Sequence, residues 1–287
     1  MSDQAGGLRK LVRDKGTSLG SRLDRRAILV SIASGKGGVG KTQVALNLAM
    51  ALSEWATVLL FDADMGTANL DVMLGMDPKK DLSHFLHQKA DLEEVLRPVQ
   101  KNLTLLPGVS GLAVSRLEVF GQPRVLEIAA ALEQRFEFII LDTAAGISES
   151  IVQQLLASDM IILVCTEDPT SLVDGYALCK TVLQIEPRKE LHFLANNVPS
   201  DQTGKKLYQK MRGALQQFMA ASLSDLGAVV ADPAIVQGVL TQNPLFRQQP
   251  DSPTGKRFRK LANTVRHCSR HNTAQGLLGL FQALARL

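Results

Sequence analysis

Residues 34–43 read Ser-Gly-Lys-Gly-Gly-Val-Gly-Lys-Thr-Gln, SGKGGVGKTQ. Within this stretch Gly35, Lys36, Gly37, Gly38, Val39, Gly40, Lys41 and Thr42 keep the spacing G-x-x-x-x-G-K-[ST] of a phosphate-binding loop. The flanks supply the context that the motif requires. The apolar run AILVSIA (27–33) reads as a buried strand, and QVALNLAMALSE (43–54) as a helix apolar almost all round. Glycines let successive backbone N–H groups turn inward around phosphate oxygens, and the helix N-terminus adds its dipole. Lys41 is expected to reach the β- and γ-phosphates of ATP, and the Thr42 hydroxyl to bind Mg²⁺. Lys36 occupies a position that the motif leaves free. It lies at the start of the loop, on the solvent side of the phosphates, where a side chain can reach a second molecule's nucleotide.

Outward from the loop, short apolar runs recur at TVLLFDAD (57–64), LTLLP (103–107), FEFIILD (136–142), MIILVC (160–165), LHFLAN (191–196) and LGAVVAD (226–232). Continuous apolar strands of this kind fit a parallel sheet covered on both faces. Val125, Ile128, Ala129 and Leu132 fall at helical spacing ahead of the 136–142 run. Alternation of strand and helix predicts a doubly wound α/β domain with a mostly parallel sheet flanked by helices.

Composition narrows the classes. With 287 residues, 45% of them hydrophobic and 21% charged, the chain has enough apolar surface for a large packed domain. No apolar run is long enough to span a bilayer, and residues 1–7 lack a secretory layout. The three cysteines, Cys165, Cys179 and Cys268, have neither zinc-site nor disulfide-framework spacing. A cytoplasmic protein is expected. The net charge of +4 sits at the ends: residues 1–26 carry seven Lys/Arg against three Asp/Glu, and residues 251–287 carry seven against one. Basic ends on an acidic middle point to an anionic surface, lipid or nucleic acid, or to solubility alone.

Three carboxylates complete the candidate site. Asp62 and Asp64 fall at the C-terminal end of their strand, where open α/β sheets bind ligands, and alternation puts them on one face. Two close carboxylates repel unless a cation sits nearby, so Mg²⁺ and a nucleophilic water both suit the pair. Asp142 follows four apolar residues and precedes a turn ending at Gly146. Such a strand aims its carboxylate at Mg²⁺.

KGGVGKT (36–42) resembles the deviant Walker A motif of the MinD/ParA class of ATPases. That resemblance implies an ATP-sandwiched homodimer in which Lys36 crosses the interface to the partner's phosphates, as a catalytic cation supplied in trans. It gives Asp64 the attacking water, Asp62 a place near the metal's water shell, and Gly146 the flexing of a second switch. Gly66 and Asn69 keep to the first switch's pattern. Asn196 matches a position from which an asparagine reads the adenine edge, and it also fits an ordinary turn asparagine. Asp232, before Pro233, falls at a second base-binding position of relatives.

TEDPTSLVDGYALCK (166–180) and DTAAGISESIV (142–152) resemble one branch of the class, the FlhG (FleN, YlxH) regulators of flagellar number. DQAGGLRKL (3–11) resembles that branch's N-terminal DQAxxLR motif through Asp3, Gln4, Ala5, Leu8 and Arg9. The resemblance implies binding and stimulation of the GTPase FlhF, with a flagellar transcription regulator or switch-complex protein as further partners. The organisation expected is an N-terminal segment (1–25), an ATPase domain (26–265) and a basic amphipathic tail (266–287). In the tail, Leu277, Phe281 and Leu284 form a stripe with Leu280 beside it. Two arrangements fit: an interfacial helix on anionic lipid, peripheral on the inner membrane at the pole when ATP is bound, or a last helix docked on the core. A switch between them on dimerisation fits both.

Rival classes leave distinct marks. A ParA-type ATPase positioning DNA or other cargo would use Lys256, Arg257, Arg259 and Lys260, and the N-terminal motif argues against it. A nitrogenase-type iron protein would need cysteines that bridge two subunits. A metabolic ligase on this fold would not need Lys36 in trans.

Overall fold

A computed structural model describes residues 26–64, 69–77, 80–108, 124–267 and 275–284. Eight strands are β1 (Ile28–Ala33), β2 (Val58–Ala63), β3 (Arg97–Gln100), β4 (Leu103–Leu106), β5 (Phe138–Thr143), β6 (Met160–Cys165), β7 (Leu191–Val198) and β8 (Ser224–Val230). They form one sheet in the order β3-β4-β2-β5-β1-β6-β7-β8. Every pairing is parallel except β3 with β4. β3 was not legible as an apolar run. It is a short edge strand containing Pro98, and an edge is where a sheet tolerates proline.

Strand alternation sorts the core. Val30 and Ile32 of β1, Leu60 of β2 and Ile140 of β5 face a layer made by α1 (Lys41–Leu52) and α11 (Pro253–Arg266). Leu29, Leu59, Phe61, Ile139 and Leu141 face the other side, under α5 (Arg124–Arg135). Further along that second face lie α6 (Glu149–Ala157), α7 (Pro169–Ile185) and α8 (Asp201–Met219). Between these come α2 (Leu70–Met73), α3 (Leu82–Leu86), α4 (Leu92–Val95), α9 (Pro233–Leu240) and α10 (Leu245–Gln248). The expected doubly wound sheet with covered faces is the observed one. Helix α1 is buried from Val44 to Leu52, as its all-round apolar sequence requires.

The last element, α12 (Gly276–Leu284), docks on the second face against α5 and α6. Leu277, Leu280 and Phe281 are fully buried there, and Phe281 meets the Phe61 ring edge-on at 6.1 Å. The Glu133 carboxylate of α5 accepts the Leu277 N–H at 2.7 Å, satisfying a donor in the first turn. In this structure Leu277, Leu280 and Phe281 make a core contact, the docked one of the two arrangements that fit the sequence. Their apolar stripe is as wide as a docked helix needs, so pattern alone did not separate the two. Leu284 ends the helix. Among the described residues, no helix is long and apolar enough to cross a membrane. The residues of the N-terminal motif, Asp3, Gln4, Ala5, Leu8 and Arg9, lie outside the described residues, as do Gly66 and Cys268.

If α12 is part of the core, Phe281→Ala costs about 3–5 kcal/mol of stability. Denaturant unfolding of the nucleotide-free protein reads this directly. A loss within error of zero would make the helix a free tail.

Candidate nucleotide site

The loop 34–40 leaves the C-terminal end of β1, the strand between β5 and β6, and enters α1. Gly40 holds φ +88° at the position before α1, a left-handed conformation that glycine adopts without a Cβ penalty. At Gly35 the constraint is space: a Cβ would come within 2.1 Å of the Asp174 carbonyl oxygen in α7. The loop is thus packed backbone to backbone against a helix.

The two lysines part company here. Lys41 is buried, and its Nζ donates to Ser34 Oγ at 3.0 Å. The Ser34 hydroxyl donates onward to the Lys36 carbonyl at 2.7 Å, and the Ser34 carbonyl accepts the Gly146 N–H at 3.0 Å. Desolvation pulls the Lys41 ammonium below its ordinary range, against the pull of the Asp142 and Asp64 charges. Lys36 turns outward. Its side chain is 38% exposed, and its Nζ donates to the Asp168 carboxylate and to Thr170 Oγ1 at the N-terminus of α7.

Asp62, Asp64 and Asp142 lie within electrostatic reach of one another and, for the last two, of Lys41. Asp62 and Asp142 are register partners on neighbouring strands β2 and β5, both on the α1 side of the sheet. Burial pushes Asp142 up to about 7, Thr42's hydrogen bond opposing and the Asp62 charge adding to the rise. Asp142 Oδ1 is buried without a hydrogen-bond partner. A buried carboxylate oxygen beside a threonine hydroxyl, next to a phosphate cradle, fits Mg²⁺. That ion takes few protein ligands and completes its shell with phosphate and water. Among the described residues no cage of three or more His, Cys, Asp or Glu forms.

Asp62, expected near the metal's water shell, is occupied with backbone. Its carboxylate accepts the N–H groups of Asp64 (3.3 Å), Asn69 (3.0 Å) and Leu70 (3.1 Å). Burial raises it to about 6 while those three bonds hold it down. It ties the segment after β2 to the start of α2. Asp64 sits just past the end of β2, within electrostatic reach of Lys41.

The two adenine candidates have other occupations. Asn196 Nδ2 donates to the Val39 carbonyl at 2.8 Å and would lie 2.5 Å from a Cβ on Gly40. It braces the loop from β7. Asp232 caps α9: Oδ1 accepts the Ala234 N–H at 2.9 Å, and Oδ2 accepts the Thr254 hydroxyl at 2.6 Å. Sequence reasoning missed Ser34, Asp168 and Thr170. Asp168-Pro169 carries the signature of a helix start, but nothing local tells that it faces Lys36, 132 residues away.

The rival marks are weak. Arg257 is paired with Asp201, and Arg259 with Glu54 and Asp251, so two of the four basic residues expected to meet DNA are already paired. Cys165 and Cys179 are buried, and burial pushes Cys165 up to about 12 and Cys179 higher still. Neither is placed to bridge subunits.

Known proteins are similar in sequence and fold. Residues 27–193 match a family described as an AAA domain. The antiactivator FleN of Pseudomonas aeruginosa is 31% identical over 239 residues, 83% of this chain and 85% of FleN. The flagellum site-determining protein YlxH of Helicobacter pylori is 32% identical over 251 residues, 81% of this chain and 82% of YlxH. The septum site-determining protein MinD of Pyrococcus horikoshii, solved with Mg-ADP, superposes with a TM-score of 0.65. It is 30% identical, and the match covers 84% of this chain and 96% of that one.

The raised carboxylates make a pH prediction. A native pKa above the unfolded value contributes stability that is full below the unfolded value and lost as pH rises through the native one. Without nucleotide and Mg²⁺, stability should therefore fall between about pH 4 and 7 from Asp62 and Asp142. Asp142→Asn should flatten that fall and leave the nucleotide-free protein more stable than wild type at pH 8. It should also remove the extra thermal stabilisation that Mg²⁺ adds to ATP. Unfolding curves at several pH values check both.

Proposed function

Because this chain belongs to the MinD/ParA class of P-loop ATPases, and within it is most like the FlhG branch of FleN and YlxH, we propose that it is an ATP-dependent dimerising switch that regulates flagellar number and placement. The observation that carries the reading is the parting of the two loop lysines. Lys41 stays inside the cradle on Ser34, and Lys36 stands outside it on the solvent side. A cation outside its own phosphate cradle has no phosphate to meet within one subunit. Two subunits placed face to face would give it one, in the partner's cradle.

The residues divide the work. The loop N–H groups and Lys41 hold the β- and γ-phosphates. Thr42 and Asp142 hold the metal, and Mg²⁺ when bound neutralises charge between those phosphates. Asp64, at the mouth of β2, orients the water that attacks the γ-phosphorus, giving ADP and phosphate. Lys36 of each subunit stabilises the charge on the other's transferring group. Turnover is slow, because the output is the population of dimers.

The partners follow from the branch. Asp3, Gln4, Ala5, Leu8 and Arg9 would engage a FlhF-type GTPase, the short segment ordering on contact. A peripheral membrane contact through Leu277, Leu280, Phe281 and Leu284 would require α12 to leave its dock.

Four measurements test this. Size determination should give a monomer with ADP and a dimer with a non-hydrolysable ATP analogue; a monomer with both sinks the switch. Vesicles of anionic lipid, added to each state, read the release of α12. Lys36→Ala and Asp64→Ala should each lower hydrolysis by about 100-fold, and wild-type rates in both would refute the site assignment. Removing residues 1–25 should abolish stimulation of the FlhF-type GTPase while ATP-dependent dimerisation persists.

A further inference from the structure

The first described residue and the last helix meet at one guanidinium. Arg26 stands just before β1. Its two terminal nitrogens fork onto Asp159, at 2.9 Å to Oδ2 and 2.6 Å to Oδ1. Asp159 lies in the turn between α6 and β6 with its side chain fully buried, and its Oδ2 also accepts the Leu29 N–H at 2.9 Å. A bidentate pair fixes the guanidinium in geometry as well as in charge. Beside it lies the start of α12. A Cβ on Gly276 would come within 3.0 Å of Arg26 Nη1 and 2.4 Å of Glu133 Oε1. Gly276 also holds φ +66°, so only a residue without a side chain fits between the two.

The charges agree with that placement. Glu133 accepts the Leu277 N–H at 2.7 Å. Burial raises its carboxyl, the Leu277 N–H and the Arg26 charge oppose the rise, and the Asp159 charge adds to it. One cation therefore serves two desolvated carboxylates, one holding β1 and one holding α12. The backbone follows: the Ala27 N–H donates to the Glu133 carbonyl at 3.2 Å.

We propose that Arg26 couples the segment that precedes it to the docking of α12: the guanidinium seated on Asp159 favours the docked helix, and the docked helix favours the seated guanidinium. The coupling needs neither the dimer nor the GTPase of the reading above. With Arg26 displaced, Glu133 loses a cation that keeps it charged, and the N-terminus of α12 loses part of its charged acceptor. The entry to α12 also loses one wall. With α12 undocked, water reaches Glu133 and competes for the guanidinium. Arg26 biases the helix and does not by itself release it, because Leu277, Leu280 and Phe281 supply the larger part of the dock. Coupling of this kind is reciprocal. A ligand that draws on residues 1–25 and lifts Arg26 off Asp159 weakens the dock, and release of α12 loosens the anchor at Arg26.

Two perturbations, one from each side, test this. Arg26→Met alone would strand the buried Asp159 carboxylate. It is therefore paired with Asp159→Asn, which keeps an oxygen for the Leu29 N–H. In that double variant, hydrogen exchange at the amides of residues 277–281 should run at least about 5-fold faster relative to the amides of β6, the low end of an ordinary coupling between sites. From the other side, Phe281→Ala loosens α12 more than a turn along the helix from Gly276. Phenylglyoxal, followed by mass spectrometry, should then modify Arg26 faster by a factor of the same order, with the rate at Arg257 in α11, on the opposite face of the sheet, unchanged. Exchange at 277–281 that rises only in step with β6, or modification of Arg26 that rises only in step with Arg257, reports global loosening and overturns the coupling. No change in either readout overturns it as well.

Discussion

A hydrogen atom in place of a side chain at Gly35 lets the phosphate loop rest directly on the backbone of α7, where a Cβ would stand 2.1 Å from the Asp174 oxygen. Much of the site depends on that approach. It brings Lys36, one residue on, beside the first turn of the same helix, where Asp168 and Thr170 wait. It leaves Ser34, one residue back, between Lys41 and Gly146, accepting from both and donating to the Lys36 carbonyl. Loop, second switch and α7 therefore share short hydrogen bonds. A γ-phosphate that draws on Lys41 or displaces Gly146 is felt by the others, because packed cores shift between discrete arrangements more readily than they deform.

Charge economy at the strand ends supplies the second constraint. Asp62 and Asp142 are buried neighbours across β2 and β5, and Lys41 is the buried cation set among them. Burying unpaired charge is costly, and the protein answers in two ways. Asp62 gathers three backbone N–H groups and so folds the segment after β2. Asp142 keeps one oxygen without a partner, a tension that a divalent cation relieves. The same type of residue on the same face thus meets two fates, one closing a loop and one keeping a bare oxygen beside Thr42.

Which features were legible follows from the range of the forces behind them. Strand runs such as 160–165 and the loop 35–42 are written in local pattern: apolar continuity, glycine spacing and a lysine before a threonine. β1, β2, β4, β5, β6, β7 and β8 all lie on runs readable in that way. β3 is short, half-exposed and proline-bearing, and it forms only because β4 offers an edge. For Asn196 and Asp232 the resemblance implies base binding, and each also holds a packing contact that local pattern did not announce. Their partners, Val39 and Thr254, come from elsewhere in the chain. The hold of Asp168 on Lys36 was illegible for the same reason. Pattern reports what a residue can do, and long-range packing decides which of those things it does.

The C-terminal helix shows how that packing reaches the switch. Along β2, Phe61 points toward α12 and Asp62 toward α1, because successive side chains alternate. One residue therefore carries the tail helix and the next carries the segment that begins α2. Undocking α12 would expose Leu277, Leu280 and Phe281, at about 1.5–3 kcal/mol for each large apolar side chain. Three of them sum to about 5–9 kcal/mol, as large as the net stability of many domains. A weak surface charge cannot drive such a release. Only a process of similar size can, such as burial of a new subunit interface or insertion of the same side chains into lipid. Any movement of the tail must then be coupled to one of these, and β2, with Phe61 on one face and Asp62 on the other, links the helix to the strand-end carboxylates through two adjacent residues.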